Sequence, residues 1–170
     1  MLKILCRITY EAIGKYLPGT YRPLVGKMAK HIRYALVKGF VASIGPSVVI
    51  ERNAGISSSL RIGAYSGVGT NAFIDAEVTI GDYVMMGPDV AIYTLNHKHE
   101  LNGSPFCFQG YEERKPVVIG NNVWIGTRCV ILPGVHIGDN VVVGAGSAVT
   151  KDVPSGVVVA GSPARVVKKL

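Results

Sequence analysis

Large aliphatic residues recur at every sixth position over most of this chain, and this period constrains the fold more than any other feature. An α-helix repeats about every 3.6 residues and a β-meander needs turn signals roughly every 8–12 residues, so neither keeps a strict count of six. A fixed short period of this kind indicates a solenoid. The fifteen positions form two unbroken series: Ile44, Ile50, Ile56, Ile62, Val68, Ile74, Ile80, Met86 and Ile92, then Ile119, Ile125, Ile131, Ile137, Val143 and Val149.

Two other positions of the six-residue unit are also restricted. The fourth position after the aliphatic residue is mostly small or branched, as at Val48, Ala54 and Val84. Each unit is therefore predicted to be a short strand and a corner, stacked so that the aliphatic residues form a continuous internal ladder. We interpret the glycine that often follows the aliphatic residue as a bend residue, because a missing Cβ admits unusual backbone angles. Nine of the fifteen units carry it, at positions 45, 63, 69, 81, 87, 120, 126, 138 and 144.

Residues 1–40 follow a different pattern and are predicted to form a helical N-terminal segment, broken at Pro18 and Gly19. This segment holds eight Lys or Arg residues and one acid, Glu11, so it carries most of the net charge of +7. Two interpretations stay open: a solvated helical cap, or a basic amphipathic surface that contacts anionic lipid headgroups or a charged glycan. The apolar residues at helical spacing are Leu5, Ile8, Ala12 and Tyr16, then Val25, Met28, Ile32 and Leu36.

Composition restricts the cellular setting. Cys6, Cys107 and Cys129 are too few and too scattered for a disulfide framework or a zinc site, which favours a reducing cytoplasm. Arg7 and Glu11 interrupt the apolar stretch that a signal peptide needs, and no apolar run reaches the roughly 18 residues of a membrane span. The sequence has no nucleic-acid recognition module. We therefore expect a cytoplasmic protein that does not bind nucleic acid.

The six-residue period stops after Ile92 and resumes at Ile119, so residues 93–117 are predicted to form a loop extruded from the solenoid. Long loops on rigid scaffolds are usually functional or disordered. This one contains aromatic residues, several charges and two histidines, His97 and His99. We therefore expect the loop to carry chemistry.

Three segments resemble the hexapeptide-repeat acyltransferases: IGDYVMMGPDVAIYTLNH (80–97), IGNNVWIGTRCVILPGVHIGDNVVVGAGSAVTKDV (119–153) and AGSPARVV (160–167). Within that family they look like the O-acetyltransferases that act on maltose, galactosides, capsule or colanic acid. The resemblance covers the chain from about residue 44 to its end. It implies an all-β solenoid, a left-handed parallel β-helix of about five coils, in a domain spanning 41–170. The period alone does not set the handedness, since right-handed crossovers are the rule for parallel strands.

The resemblance also implies which residue acts as general base in the acetyl transfer. Transfer of an acetyl group from a thioester to a hydroxyl needs a general base, and neutral imidazole suits that task. His97 matches the family's catalytic histidine, with His99 as the alternative, whereas His136 and His31 are interpreted as structural. The group that orients the imidazole stays open between a backbone carbonyl and three carboxylates, Glu100, Glu112 and Glu113.

Binding residues are carried over from the family in the same way, and no metal is expected. Asp75 and Asn71 are predicted to contact the acceptor, although a solvated corner acid is an alternative for Asp75. The acyl donor, acetyl-CoA, is expected to meet cationic side chains with its phosphates. Family members are trimers with the active site between subunits, so a homotrimer is expected. The predicted acetyl-CoA residues are Trp124, Thr127, Ala145 and Thr150, followed by Lys151, Arg165 and Lys168 at the phosphates.

These inferences predict an acetyl-CoA-dependent O-acetyltransferase that modifies a hydroxyl of a sugar or polysaccharide precursor. Two differences from the maltose and galactoside enzymes favour a polysaccharide as the acceptor. Lys98 follows His97 where those enzymes usually have Pro, and the N-terminal segment with which they hold the acceptor is not recognisable in residues 1–40. We therefore also expect peripheral contact of residues 1–40 with the inner face of the membrane. The alternatives are an N-acetyltransferase acting on an amino sugar nucleotide, a metal-dependent hydratase of the carbonic anhydrase kind, and a purely structural solenoid.

Overall fold

A computed structural model describes residues 1–170, and it begins with two α-helices. Helix α1 spans Leu2–Ala12 and helix α2 spans Val25–Lys38, with a 3-10 helix at Gly14–Tyr16 between them. Neither α-helix combines the length and the apolar character that crossing a membrane requires. The first strand begins at Ser43, so helices occupy the segment whose sequence has helical spacing.

Seventeen strands follow, most of them two residues long, with a second 3-10 helix at Phe106–Phe108. They are β1 (Ser43–Ile44), β2 (Val49–Ile50), β3 (Gly55–Ile56), β4 (Arg61–Ile62), β5 (Gly67–Val68), β6 (Phe73–Ile74), β7 (Val78–Ile80), β8 (Met85–Met86), β9 (Ala91–Ile92), β10 (Val117–Ile119), β11 (Trp124–Ile125), β12 (Val130–Ile131), β13 (His136–Ile137), β14 (Val142–Val143), β15 (Ala148–Val149), β16 (Val157–Gly161) and β17 (Ala164–Lys169).

Every third strand pairs in parallel, which makes three sheets around a common core. One sheet has the order β1-β4-β7-β10-β13 and a second β3-β6-β9-β12-β15; the third side holds β2-β5 and β8-β11-β14-β16-β17. Ile44 pairs with Ile62, 18 residues later, so one turn takes three six-residue units. The chain is a left-handed parallel β-helix, as predicted. It has about six turns, because β16 stacks on β14 beyond the last hexapeptide, and β17 then pairs with β16 in antiparallel orientation.

The predicted aliphatic ladder forms the core of the β-helix. All fifteen residues are buried except Ile44 and Met86, which are partly buried and pack against the same cluster. The fourth-position residues, among them Val48, Ala54 and Val84, are buried as well. Each fully buried aliphatic side chain contributes roughly 1.5–3 kcal/mol relative to an exposed one, so the repeat itself supplies the main stabilisation.

The repeat glycines lie at the corners between strands, but the predicted reason for them, unusual backbone angles, was wrong. None of the nine has a positive φ, and the left-handed backbone lies two residues further on, for example at Asn71 with φ 57° and Tyr83 with φ 58°. A Cβ on Gly45 would instead lie 2.5 Å from the backbone nitrogen of Ala64 in the next turn. These glycines are therefore required by the close approach of successive turns.

Buried polar contacts hold the helices on the N-terminal end of the β-helix. The Tyr10 hydroxyl donates to the carbonyl oxygen of Ala54 over 2.6 Å. Arg33 is fully buried, and its Nε donates to the carbonyl oxygen of Ile50 over 2.6 Å. Its Nη1 donates to the carbonyl oxygens of Leu17 and Pro18. Burial lowers the pKa of the Arg33 guanidinium, whereas the carboxylate of Glu51, whose Oε2 lies 4.0 Å from Nη2, opposes that shift.

Candidate active site

The predicted extruded loop leaves the β-helix after β9 and returns at β10. Val117 pairs with Val78, 39 positions earlier, whereas the preceding turn pairs Ile62 with Ile80 at 18 positions, so the insertion measures 21 residues. The loop lies at the corner between the sheet of β9 and the sheet of β10. We call the column of such corners in successive turns, residues 57–60, 75–77, 93–116, 132–135 and 150–153, the loop edge.

His97 lies where the two arms of the loop meet. It forms an antiparallel bridge with Tyr111, and their ring centroids are 4.3 Å apart. The Lys98 amide donates to the carbonyl oxygen of Gly110 over 3.1 Å, which extends the pairing. The His97 side chain is exposed in the single chain. The loop therefore presents this imidazole at the surface while an aromatic ring packs against it.

No carboxylate forms an ion pair with His97. Glu112 pairs with His99 instead, at 3.9 Å between Oε1 and Nδ1, and with Lys115 at 3.6 Å. The Nδ1 of His99 lies 3.2 Å from the carbonyl oxygen of His97. Neither Glu100 nor Glu113 forms an ion pair with a histidine. Tyr111 is the neighbour that sequence reasoning missed, because no periodicity inside the loop relates the two arms.

Asp75 joins the two ends of the loop. Its Oδ2 accepts a hydrogen bond from the Thr94 hydroxyl over 2.9 Å and lies 3.0 Å from Nη1 of Arg114. The amide of Ala76 donates to Oδ1 over 2.7 Å. Partial burial alone would raise the pKa of Asp75, but the hydrogen bonds from Ala76, Thr94 and Arg114 prevail and lower it. The Asp75 carboxylate, which was predicted to contact the acceptor, is thus hydrogen-bonded to groups of the protein itself. The stabilisation it gives is present above the ordinary carboxyl pKa of 3.8 and is lost as pH falls through the lowered value.

Asn71 lies on another corner, between β5 and β6, and not on the loop edge. Its side chain belongs to a ladder: Asn53 Nδ2 donates to Asn71 Oδ1 over 3.0 Å, and Asn71 Nδ2 donates to Asp89 Oδ1 over 2.9 Å. The structure does not bring Asn71 next to the histidines of the loop. Its contacts are those of a stacked polar column between turns.

Three of the predicted acetyl-CoA residues follow one corner column. Thr127 and Ala145 occupy corresponding corners of adjacent turns. The two turns are close together here, because a Cβ on Gly126, the residue before Thr127, would lie 2.5 Å from the backbone nitrogen of Ala145. Arg165 pairs with Ala160, whose Cβ faces Gly144 in the turn below. We call Thr127, Ala145 and Arg165 the cofactor column. Trp124 lies beside it on β11 with 52% of its side chain exposed.

A pocket at the C-terminal end brings together two of the predicted phosphate ligands. It has a volume of about 320 Å³ and is lined by Lys151, Asp152, Arg165 and apolar residues of β15, β16 and β17. Thr150 directly precedes Lys151, whereas Lys168 pairs with Val158 and does not line the pocket. Residues 150–153 lie two turns beyond the loop on the loop edge, roughly 10 Å along the axis at about 4.8 Å per turn.

The remaining histidines stand apart. His136 is exposed on β13, where its backbone amide donates to Asp152 Oδ1 over 2.8 Å, and His31 is exposed on α2. No group of three or more His, Cys, Asp or Glu side chains converges as a metal site would require. The only histidine pair near one another is His97 and His99 in the loop.

We expect Arg114→Ala to loosen the loop. The change removes the cation that joins Asp75 and Thr94 at the base of the loop, so limited proteolysis between residues 93 and 116 should become several-fold faster. Lys115→Ala is the matched control, because its ion pair with Glu112 is exposed and such pairs contribute at most about 1 kcal/mol. Equal cleavage rates in both variants would contradict an anchoring role for Arg114.

Comparisons with known proteins agree with this architecture. The family described as bacterial transferase hexapeptide (six repeats) matches residues 116–151. Galactoside O-acetyltransferase of Escherichia coli K12 is 42% identical over 146 residues, 81% of this chain and 68% of that protein. The crystal structure of a maltose O-acetyltransferase from Clostridium difficile superimposes with a TM-score of 0.80 at 32% identity, covering 99% of this chain and 86% of that one. A Vibrio cholerae hexapeptide-repeat acetyltransferase complexed with acetyl-CoA superimposes with a TM-score of 0.74 at 29% identity, with coverages of 99% and 87%.

Proposed function

Because the chain belongs to the hexapeptide-repeat acyltransferases, we propose that it transfers an acetyl group from acetyl-CoA to a hydroxyl of a sugar or polysaccharide precursor, with His97 as general base. The relatives named for galactoside and maltose support a sugar acceptor, and the Vibrio cholerae relative supports acetyl-CoA as the donor. The observation that carries the assignment of the base is the exposed His97 ring packed on Tyr111 in the extruded loop.

The reaction follows from the chemistry of imidazole. The unprotonated ring nitrogen of neutral His97 takes the proton of the acceptor hydroxyl while the hydroxyl oxygen attacks the thioester carbonyl carbon of acetyl-CoA. The tetrahedral intermediate then collapses, the carbon–sulfur bond breaks, and the imidazolium returns the proton to the CoA thiolate. The products are an acetyl ester and free CoA thiol, and the base is regenerated. Tyr111 serves as a positioning residue for the ring.

We further propose that the active site forms between subunits of a homotrimer. Within one chain, Thr127 and Ala145 precede strands of the sheet β3-β6-β9-β12-β15, whereas the extruded loop follows them, so the two lie on opposite sides of this face of the β-helix. About five residues of extended chain separate Thr127 from the loop edge, roughly 16 Å. One acetyl group cannot contact both sides at once. A threefold arrangement would let the loop of one subunit reach the cofactor column of its neighbour.

The basic pocket residues Lys151 and Arg165 are proposed to bind the CoA phosphates. The arm of the cofactor would lie along Trp124, Thr127 and Ala145 of one subunit, and Thr150, beside Lys151 on the loop edge, would contact it from the neighbouring subunit. We place the enzyme in the cytoplasm, where acetyl-CoA is made and where free thiols such as Cys6 and Cys107 persist. The role of Asp75 in acceptor binding stays a prediction; its contacts support an indirect role, through the loop that it anchors.

The proposal is tested by measuring thiol release from acetyl-CoA with a panel of oligosaccharides, polysaccharide precursors and amino sugar nucleotides. Acceptor-dependent release with ester formation at a hydroxyl supports it. Release only with amino sugar nucleotides, with amide formation, would favour the N-acetyltransferase alternative. Absence of acetyl-CoA binding by calorimetry would contradict the donor assignment. Discrimination between small disaccharides and polysaccharide precursors tests the expectation drawn from Lys98.

We expect the double substitution Lys151→Ala with Arg165→Ala to raise the KM for acetyl-CoA by about 10- to 100-fold. Two phosphate contacts would be lost, each worth on the order of 0.5–1.5 kcal/mol because both side chains are exposed, and every 1.4 kcal/mol corresponds to about tenfold. The KM for S-acetylpantetheine, which lacks the nucleotide phosphates, should not change. Arg61→Ala, an exposed cation on β4, is the matched control. An equal loss with both donors would show that the pocket residues act on something other than the phosphates.

A further inference from the structure

The net positive charge of this protein lies in residues 1–40. We call residues 1–40, which contain α1 and α2, the helical cap. The whole chain has 18 Lys or Arg and 11 Asp or Glu residues, of which the helical cap holds eight and one. The remaining 130 residues therefore carry ten of each sign and are electrically neutral, so the entire net charge of +7 lies at one end of the molecule.

Helix α1 turns its apolar stripe away from the protein. Tyr10 is fully buried and Cys6 packs on the core, so these residues mark the inner side. Ile4, Leu5 and Ile8 follow helical spacing on the opposite side and are 65%, 59% and 59% exposed. An amphipathic helix of a globular protein normally buries its apolar stripe. Here the helix uses its other side to contact the core.

Helix α2 is arranged in the same way. Its buried positions are Gly26, Ala29, Arg33 and Val37. Three apolar residues on another side of the helix are exposed, Val25 by 55%, Met28 by 67% and Ile32 by 45%. Each helix thus has a group of exposed large apolar side chains in addition to the residues that it packs against the protein. Exposed cations accompany these residues on both helices, at Lys3, Arg7, Lys27 and Lys38.

We propose that the outer surface of α1 and α2 binds an anionic lipid bilayer, with both helices lying in the interfacial plane and neither crossing it. Exposed apolar side chains accompanied by Lys and Arg are what such a surface requires: the former enter the acyl boundary and the latter meet acidic headgroups. A second copy that paired cap to cap is a poor occupant, because it would bring one +7 cap against another. A charged glycan would satisfy the cations but leave the isoleucines in water. The inference does not depend on the reaction that the β-helix catalyses.

The test is co-sedimentation of the full chain with vesicles. Vesicles of phosphatidylcholine alone are compared with vesicles containing about one third phosphatidylglycerol, each at low and high salt. We expect binding to the anionic vesicles only, weakening as salt rises, because screening shortens the reach of the headgroup charges. The double substitution Ile4→Ser with Ile8→Ser should lower the affinity at least about tenfold. Val167→Ser, which changes an apolar residue of β17 that is 65% exposed, is the control and should bind as the wild type does.

Three results would overturn the proposal. One is no binding to anionic vesicles at low salt, and another is binding that Ile4→Ser with Ile8→Ser does not reduce. The third is a lipid-free assembly whose mass falls on the same substitution, which would show that another copy covers the surface. Lys3→Gln with Lys27→Gln provides a second variant, because both side chains are exposed and their replacement leaves the packing intact. We expect it to weaken binding and to reduce the dependence on salt.

Discussion

Replacement of His97 by alanine is expected to lower kcat by about 10²- to 10⁴-fold, the usual contribution of a general base. The affinity for acetyl-CoA should stay close to that of the wild type, because the pocket with Lys151 and Arg165 lies about two turns from the loop. Stopped assays of thiol release give kcat, and calorimetry with CoA gives the affinity. A large fall in kcat with unchanged binding would identify His97 as a residue of the chemical step.

His99→Ala is the matched control for this prediction. His99 lies in the same loop, is exposed, and pairs with Glu112 rather than packing on Tyr111. Its replacement should reduce kcat by less than about tenfold. If His99→Ala caused the larger loss, the roles of the two histidines would be reversed, and if neither changed kcat the base would have to lie outside the loop. Tyr111→Phe should resemble the wild type, since the packing of the ring on His97 does not need the hydroxyl.

Gly69→Ala is expected to destabilise the fold by about 2–4 kcal/mol, which lowers Tm by roughly 4–15 °C for a chain of this size. A Cβ on Gly69 would overlap the carbonyl group of Gly87 in the next turn, and neither backbone can move without disturbing the sheet. Thermal unfolding followed by circular dichroism measures the change. The effect is structural and should appear without any ligand.

Gly67→Ala is the control from the same strand segment. A Cβ on Gly67 would lie 3.9 Å from its nearest neighbour, the carbonyl oxygen of Val49, and its φ is not positive. Its replacement should leave the stability unchanged or raise it by about 0.4–1 kcal/mol, because alanine restricts the unfolded chain. Comparable losses in the two variants would mean that the repeat glycines serve flexibility and not the spacing of turns.

The expected position of the loop was confirmed, but the contacts within it were not predictable. The interruption between Ile92 and Ile119 is visible in the sequence because the count of six fails there. The packing of Tyr111 on His97 and of Arg114 on Asp75 is not visible, because a loop has no period that would relate one arm to the other. None of the three candidate carboxylates forms an ion pair with His97, and the group that orients its imidazole stays a prediction.

For the helical cap, the sequence predicts which residues share a helix face, but it does not predict which face contacts the core. Helical spacing shows that Ile4 and Ile8 share a face, and that Ala29 and Val37 share another. It does not show which face meets the core. That choice depends on contacts with residues far away in the chain, such as the hydrogen bonds from Tyr10 to Ala54 and from Arg33 to Ile50.

Four features of this protein were predictable from its amino-acid sequence: the repeat, the buried ladder, the interruption that becomes the loop, and the segment that holds the charge. Each of these follows from a residue's own place in a local pattern, since a position in a period of six is either inside or outside the coil. Three features became evident only in the three-dimensional structure. They are the reason why the repeat glycines are needed, the contacts by which Asp75 anchors the loop, and the exposure of large apolar residues on α1 and α2. Those features depend on distances between residues that are far apart in the chain, and such distances are fixed by the stacking of turns.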